Sequence, residues 1–147
     1  MSTIVGTNIE VTNIKFDSDT TSMIISSTGQ ITAQGEGTAT TNLQQGLAKS
    51  WINFNGTGTI AARDSLNVSS LTDAATGDYL PYYSSNMANG NYSSTVNTGG
   101  AGVLISSGRS GVDTNKTNYV RVGVREGNSQ AWTDTDFVGA TIHGDLA

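Results

Sequence analysis

The chain has 147 residues and carries seven Lys and Arg against twelve Asp and Glu, a net charge of −5, with no cysteine and a single histidine, His143. This excludes disulfides, thiol nucleophiles, Cys-ligated zinc, iron–sulfur clusters and multi-His metal sites, and it makes the wrong field for a phosphate backbone or an anionic membrane face. Thr, Gly, Ser and Asn number 21, 18, 17 and 13, whereas Leu, Ile, Val and Phe together number 30, a modest core for this length that favours burial between copies.

No window of a dozen residues shows helical periodicity, so the chain reads as all-β. No apolar run approaches the ~20 residues of a membrane span, and the start, MSTIVGTNIEV, lacks the pattern of a secretion signal. Ile4, Ile9, Val11, Ile14 and Phe16 alternate imperfectly with Thr and Asn up to a turn at Asp17–Asp19. Met23 to Ile25 reads as a short strand, Gly29 as a turn and Ile31 to Ala33 as a return strand. Residues 34–48, with Leu43 and Leu47 as their only large apolar side chains, read as a linker, and a boundary is placed near Gly46.

Beyond it, Lys49 to Asn55 puts Ile52 and Phe54 on one face and Trp51 and Asn53 on the other, and Asn55-Gly56 signals a turn. Trp51 is expected to pack under the sheet. Thr59 to Arg63 and Ser65 to Ser69 follow as strands, the second with Leu66 and Val68 on one face, then a polar turn at Asp73 to Asp78. Tyr79 to Tyr83 is assigned to an edge or a strand end because Pro81 lacks a ladder N–H. Asn86 to Asn91 is loop, Tyr92 to Val96 a strand, and Gly99 to Gly102 a connection before Val103 to Ile105. Tyr119 to Arg125 alternates most cleanly, with Val120, Val122 and Val124 opposite Tyr119, Arg121, Gly123 and Arg125. Phe137 to His143 closes the pattern, with Val138, Ala140 and Ile142 on one face. Short strands at this spacing predict an antiparallel sandwich.

Residues 48–92 carry specific text: AKSWINFNGTGTIAARDSLNVSSLTDAATGDY, then SSNMANGNY. This resembles a β-domain of bacteriophage tail-fibre-like virion proteins of the marine and cyanobacterial type. Lys49, Trp51, Ile52, Asn53, Phe54, Asn55, Gly56, Arg63, Ser65, Asn67, Val68, Asp73, Gly77, Asp78 and Tyr79 stand where that pattern has them. The ending FVGATIHGD is similar to the family's last strand, and the amino-terminal text, a short Ile/Thr/Asn stretch leading into TSMIISSTG, is similar to the attachment arms that precede the domain. Leu80-Pro81-Tyr82-Tyr83 departs from the pattern, and Asn97 to Lys116 has no counterpart in it. The resemblance implies a virion component, commonly called a tail-fibre protein, assembled as a homotrimer.

For chemistry the inventory is thin. A serine triad would depend on His143, with no nucleophile elbow in the sequence, so no catalytic residue is assigned. Asp17/Asp19, Asp73/Asp78 and Asp134/Asp136 are the closest carboxylate pairs for a glycosidase, and all lie in turn-like text where Asx-turns are the ordinary explanation. Neither Asp17-X-Asp19 nor Asp134-X-Asp136 continues into a calcium loop, so no metal and no cofactor are expected. The four Asn-X-Ser/Thr triplets reflect composition. Sugars are bound by flat aromatic faces with amides, carboxylates and guanidinium groups, and Trp132, Tyr82, Tyr83, Tyr92, Arg109 and Arg125 lie in or beside predicted loops.

The expectation is therefore an all-β chain: a β-rich arm, residues 1–46, and a jelly-roll-like antiparallel sandwich, residues 47–147, in a homotrimer. Its expected role is a short tail fibre or spike, non-enzymatic, docking on other virion proteins through the arm and touching host-surface carbohydrate through those six residues. A capsid decoration protein or head fibre is the neighbouring alternative, and a polysaccharide-degrading enzyme the alternative of another class.

Overall fold

A computed structural model describes residues 13–15, 21–35, 38–99, 104–107 and 115–147. The chain is mostly β and all named strand pairs are antiparallel. It divides into two compact units, Met1–Leu47 and Ala48–Ala147.

In the first unit, β1 (Asn13–Lys15), β2 (Thr21–Ile25), β3 (Ile31–Gln34) and β4 (Thr40–Asn42) form one sheet in chain order. Gly29 turns β2 into β3 at φ 77°, a left-handed conformation glycine adopts without penalty. The register pairs Met23 with Ala33 and Ile25 with Ile31, so these four share a face, and it pairs Ile14 with Met23. Among the described residues of this unit none is buried, and Glu36 is the only ionisable residue between Thr20 and Lys49. The stretch read as a linker contains β4 and a single helical turn, α1 (Leu43–Gly46). Asn42 caps that turn by accepting from the Gln45 N–H at 3.2 Å, while the Gln44 side chain accepts from Ile31 N–H and donates to the Gly29 carbonyl. Polar side chains organise the segment where apolar periodicity is lacking.

The second unit packs two four-stranded sheets face to face. One has the order β6 (Ala61–Leu66), β5 (Ser50–Asn55), β12 (Phe137–His143), β9 (Ser93–Gly99). The other has the order β10 (Leu104–Ser107), β11 (Val122–Glu126), β8 (Asp78–Tyr83), β7 (Val68–Ala75). Their inner faces are the alternating residues of the sequence: Ile52, Phe54, Val138, Ala140 and Ile142 from the first sheet meet Tyr79, Tyr83, Val122 and Val124 from the second, with Val120 beside them. Phe54 and Tyr79 meet edge to face with centroids 5.1 Å apart. Trp51 lies on the opposite face from this core, paired with Leu66 and Thr141 and half-buried, so it does not pack under the sheet.

Two strand assignments need correction. Ser65 to Ser69 is not one strand: Asn67 takes φ 56°, and the chain passes there from β6 in one sheet to β7 in the other. Leu66 is left exposed while Val68 packs against the core. Nor is Tyr79 to Tyr83 an edge, because β8 runs between β7 and β11 with Pro81 fully buried. Val120 N–H donates to the Pro81 carbonyl at 3.2 Å and Tyr83 N–H to the Asn118 carbonyl at 2.9 Å. The register is unbroken from Tyr82↔Tyr119 to Tyr79↔Val122; the proline simply omits the one donor it would have returned to Val120. Smaller shifts are that β6 starts at Ala61 and that β9 starts at Ser93 and runs into Gly99.

Candidate functional site

Alternation along β8, and along residues 119–126 that lead into and form β11, sends every second residue outward. Tyr119, Arg121 and Arg125 lie on this face, beside Leu80 and Tyr82 of β8; all are half-buried. Tyr82 and Tyr119 pair across the strands with ring centroids 5.2 Å apart at 56°. At the other end Trp132 pairs with Arg125, whose guanidinium carbon lies 5.2 Å from the indole centroid. From Tyr119 to Arg125 the stripe runs about 20 Å at the usual rise of a strand.

Arg121 sits between the two platforms and is held there. Its Nε donates to Asp78 Oδ1 at 2.7 Å and its Nη2 donates to Oδ2, a two-pronged bond to a carboxylate that is 1 % exposed. The hydrogen bond to Asp78 raises the Arg121 pKa, partly offset by burial. The Arg125 Nε is buried without a hydrogen bond, leaving the stacked guanidinium's remaining N–H groups as its polar edge.

Of the six residues expected to contact carbohydrate, the structure brings Tyr82, Arg125 and Trp132 onto this one face. Tyr83 and Tyr92 are corrections: both point inward, 5 % and 7 % exposed, with centroids 6.1 Å apart in the core. Tyr92 Oη lies within hydrogen-bond distance of the Lys116 and Tyr119 carbonyls, and Tyr83 Oη is buried without a well-aligned bond, so neither ring presents a face to a ligand. Burial is the main cause that pushes both hydroxyls up from the ordinary tyrosine range. Arg109 lies outside the described residues. Tyr119 and Arg121 were not among the six, yet the alternation that sends Val120, Val122 and Val124 inward already put them on the opposite face.

The carboxylate pairs fare differently. Asp17 and Asp19 lie outside the described residues. Asp78 is bound to Arg121. Asp134 Oδ1 accepts from the Gly77 N–H at 2.7 Å and lies 2.9 Å from the Tyr79 hydroxyl. These are bonds across the fold rather than Asx-turns. Among the described residues no group of three His, Asp or Glu side chains is placed to hold a metal ion.

Much of the text that carries the resemblance is engaged in structure. Asn55 folds over Thr57, accepting from its N–H and hydroxyl and donating to its carbonyl. Arg63 donates to Asn53 Oδ1, to the Phe54 carbonyl and to the Asp136 carbonyl, tying β5 to the approach to β12. Gly56 packs so closely that a Cβ would stand 2.5 Å from the Tyr79 hydroxyl. The segment 48–79 thus builds the frame, and the stripe is formed by residues 80–132. Compared with protein-family models, curated proteins and solved structures, the chain matches none.

Proposed function

We propose that the protein is a structural, non-enzymatic component of a bacteriophage particle, a short tail fibre or spike that contacts host-surface carbohydrate through the outer face of its second sheet. The observation that carries this reading is the pair of aromatic platforms, Tyr82 with Tyr119 and Trp132 with Arg125, set on either side of the anchored Arg121. Flat rings take the apolar faces of pyranoses, and guanidinium edges donate to their hydroxyl and carboxylate oxygens. The sequence of residues 48–92 supports placing the chain on a virion surface. The first unit supports an attachment role: its sheet, almost free of charge, buries no described residue by itself, and an apolar face of that kind is stabilised by contact with other virion proteins or with further copies.

We further propose a homotrimer, and a jelly-roll-like description of the second unit, in which the first strand β5 pairs with the last strand β12 and β8 pairs with β11 inside that closure. The test is binding of the purified chain to an array of bacterial O-antigens and capsular polysaccharides. Wild type is retained on a subset of glycans and Tyr82→Ala and Trp132→Ala lose that retention while staying folded; retention unchanged in both variants overturns the assignment of the face. Density for this chain on the capsid shell of a reconstructed particle would replace the tail reading by the decoration one.

A further inference from the structure

We propose that Asn89 is a site of spontaneous self-modification, converting to isoaspartate and aspartate, and that the fold suppresses the same reaction at the chemically equivalent Asn55. The chain holds two Asn-Gly steps, Asn55-Gly56 and Asn89-Gly90. At such a step the glycine nitrogen, unshielded by a Cβ, attacks the asparagine Cγ. An N–Cγ bond forms, the Cγ–Nδ2 bond breaks, the glycine amide proton is lost and ammonia leaves. Water then opens the resulting five-membered imide at either carbonyl, giving aspartate or isoaspartate. Water is the only co-reactant and no electron is transferred.

The reaction needs a glycine amide free to lose its proton and a side-chain amide free to depart. Both are available at Asn89, which is exposed in the loop between β8 and β9. Its Oδ1 accepts from the Asn91 N–H at 2.7 Å, drawing electron density away from Cγ. Gly90 N–H and Asn89 Nδ2 make no hydrogen bond among the described residues.

Asn55-Gly56 fails on both counts. Gly56 is buried and its N–H donates to the Thr135 carbonyl at 3.0 Å, so the nucleophile is occupied. Asn55 Nδ2 donates to the Thr57 carbonyl at 3.0 Å, so the leaving group is occupied as well. Attack there requires breaking both bonds and opening the turn. At Asn89 each conversion adds one negative charge, and isoaspartate adds one backbone carbon, next to the segment where Met87 pairs with Leu146.

The test is incubation of the full chain in heavy-oxygen water in mildly alkaline buffer, folded and in urea, followed by peptide mapping that separates aspartate from isoaspartate. In the folded protein Asn89 takes up the label at least about tenfold faster than Asn55, and in urea the two rates converge, as expected when local opening limits the protected site. Asn89→Gln, which lengthens the side chain and disfavours the five-membered ring, abolishes labelling of its peptide. Equal rates at the two sites in the folded protein, or labelling of Asn89 only in urea, overturns the proposal.

Discussion

Asn67 and Ser85 exchange two hydrogen bonds, the Ser85 N–H donating to Asn67 Oδ1 at 2.7 Å and Asn67 Nδ2 donating to the Ser85 carbonyl at 3.0 Å. The same Nδ2 reaches the Lys49 carbonyl at 3.1 Å. One side chain thereby holds the entry to β5, the exit of β8 and its own left-handed backbone at the place where the chain changes sheets. Asn tolerates that conformation better than most residues, and its amide supplies both donor and acceptor.

Replacing Asn67 separates the two contributions. Asn67→Gly keeps the backbone conformation and loses the bonds, and is expected to cost about 2 kcal/mol. Asn67→Ala loses both and is expected to cost about 3 kcal/mol, the difference being the left-handed penalty for a residue with a Cβ. Urea denaturation of the two variants measures this; equal costs would mean that the backbone conformation contributes nothing at this site.

The ion pair between Asp78 and Arg121 predicts strong coupling. Arg121→Met leaves a carboxylate that is 1 % exposed without its two-pronged partner, and a loss of about 3 kcal/mol is expected for a broken buried pair. Asp78→Leu leaves the better hydrated guanidinium behind and should cost less. In the double variant the losses should fall well short of adding, because no charge remains to be desolvated; a denaturation cycle that is additive would show that the pair is not coupled.

The inward stripes at 52–54, 120–124 and 138–142 were legible because each alternates over enough residues to fix a face, and the structure buries the apolar positions among them. The change of sheet at Asn67 was not legible, because Ser65 to Ser69 alternates as well as a true strand does. What breaks it are bonds to Lys49 and Ser85, each 18 residues away. Pro81 misled for a related reason: the rule that proline avoids interior strands concerns one missing donor, and here that gap is tolerated within an otherwise continuous register. The outward face was half legible. The alternation of 119–125 showed which side chains face away from the core, but Tyr82 meets Tyr119, and Asp78 meets Arg121, only through the pairing of β8 with β11 and with the residues that lead into it. Adjacent Tyr82 and Tyr83 must face opposite sides of β8, but which of them is inward, and that Tyr92 packs against Tyr83, follows only from how the two sheets close on each other.

Gly77 and Gly58 share φ 62° in different surroundings. A Cβ on Gly58 meets nothing within 4 Å, so Gly58→Ala should cost about 1 kcal/mol, the conformational penalty alone. A Cβ on Gly77 would meet the Val124 carbonyl and stand 2.8 Å from both the Thr133 nitrogen and its carbonyl oxygen. Backbone on two sides cannot yield as a side chain can, so Gly77→Ala should cost several kcal/mol. Similar melting temperatures for the two variants would contradict the packing around Gly77.

Alkaline pH should unfold the protein through its core tyrosines. Burial raises Tyr79, and the adjacent Asp134 raises it further; burial likewise raises Tyr83 and Tyr92. Each therefore keeps its proton in the folded state at pH values where the unfolded side chain, with a pKa of about 10, has lost it. Below about pH 10 both states are protonated and the three groups add no slope; above it the unfolded chain binds fewer protons, so stability falls as pH rises. Phenolate absorbance and circular dichroism followed together should show these tyrosines ionising within the unfolding transition. Phenolate signal from all five tyrosines before any loss of structure would contradict their burial.

Val122→Asp and Trp132→Ala put the core and the outer face on opposite footings. Val122 is 0 % exposed at the centre of the inner face, so an unpaired carboxylate there cannot recover its hydration, and several kcal/mol of destabilisation with insoluble protein are expected. Trp132 is half-buried and stacked on Arg125, and its removal should cost about 1 kcal/mol, the scale of a partly exposed cation–π contact. Its effect on glycan retention should be out of proportion to that, because among the described residues the ring is one of two aromatic platforms on the face. Melting temperature and retention measured on the same preparations decide the role of the indole. A large fall in melting temperature with retention unchanged would assign Trp132 to the packing of the sheet and leave the proposed contact resting on Tyr82 and Tyr119 alone.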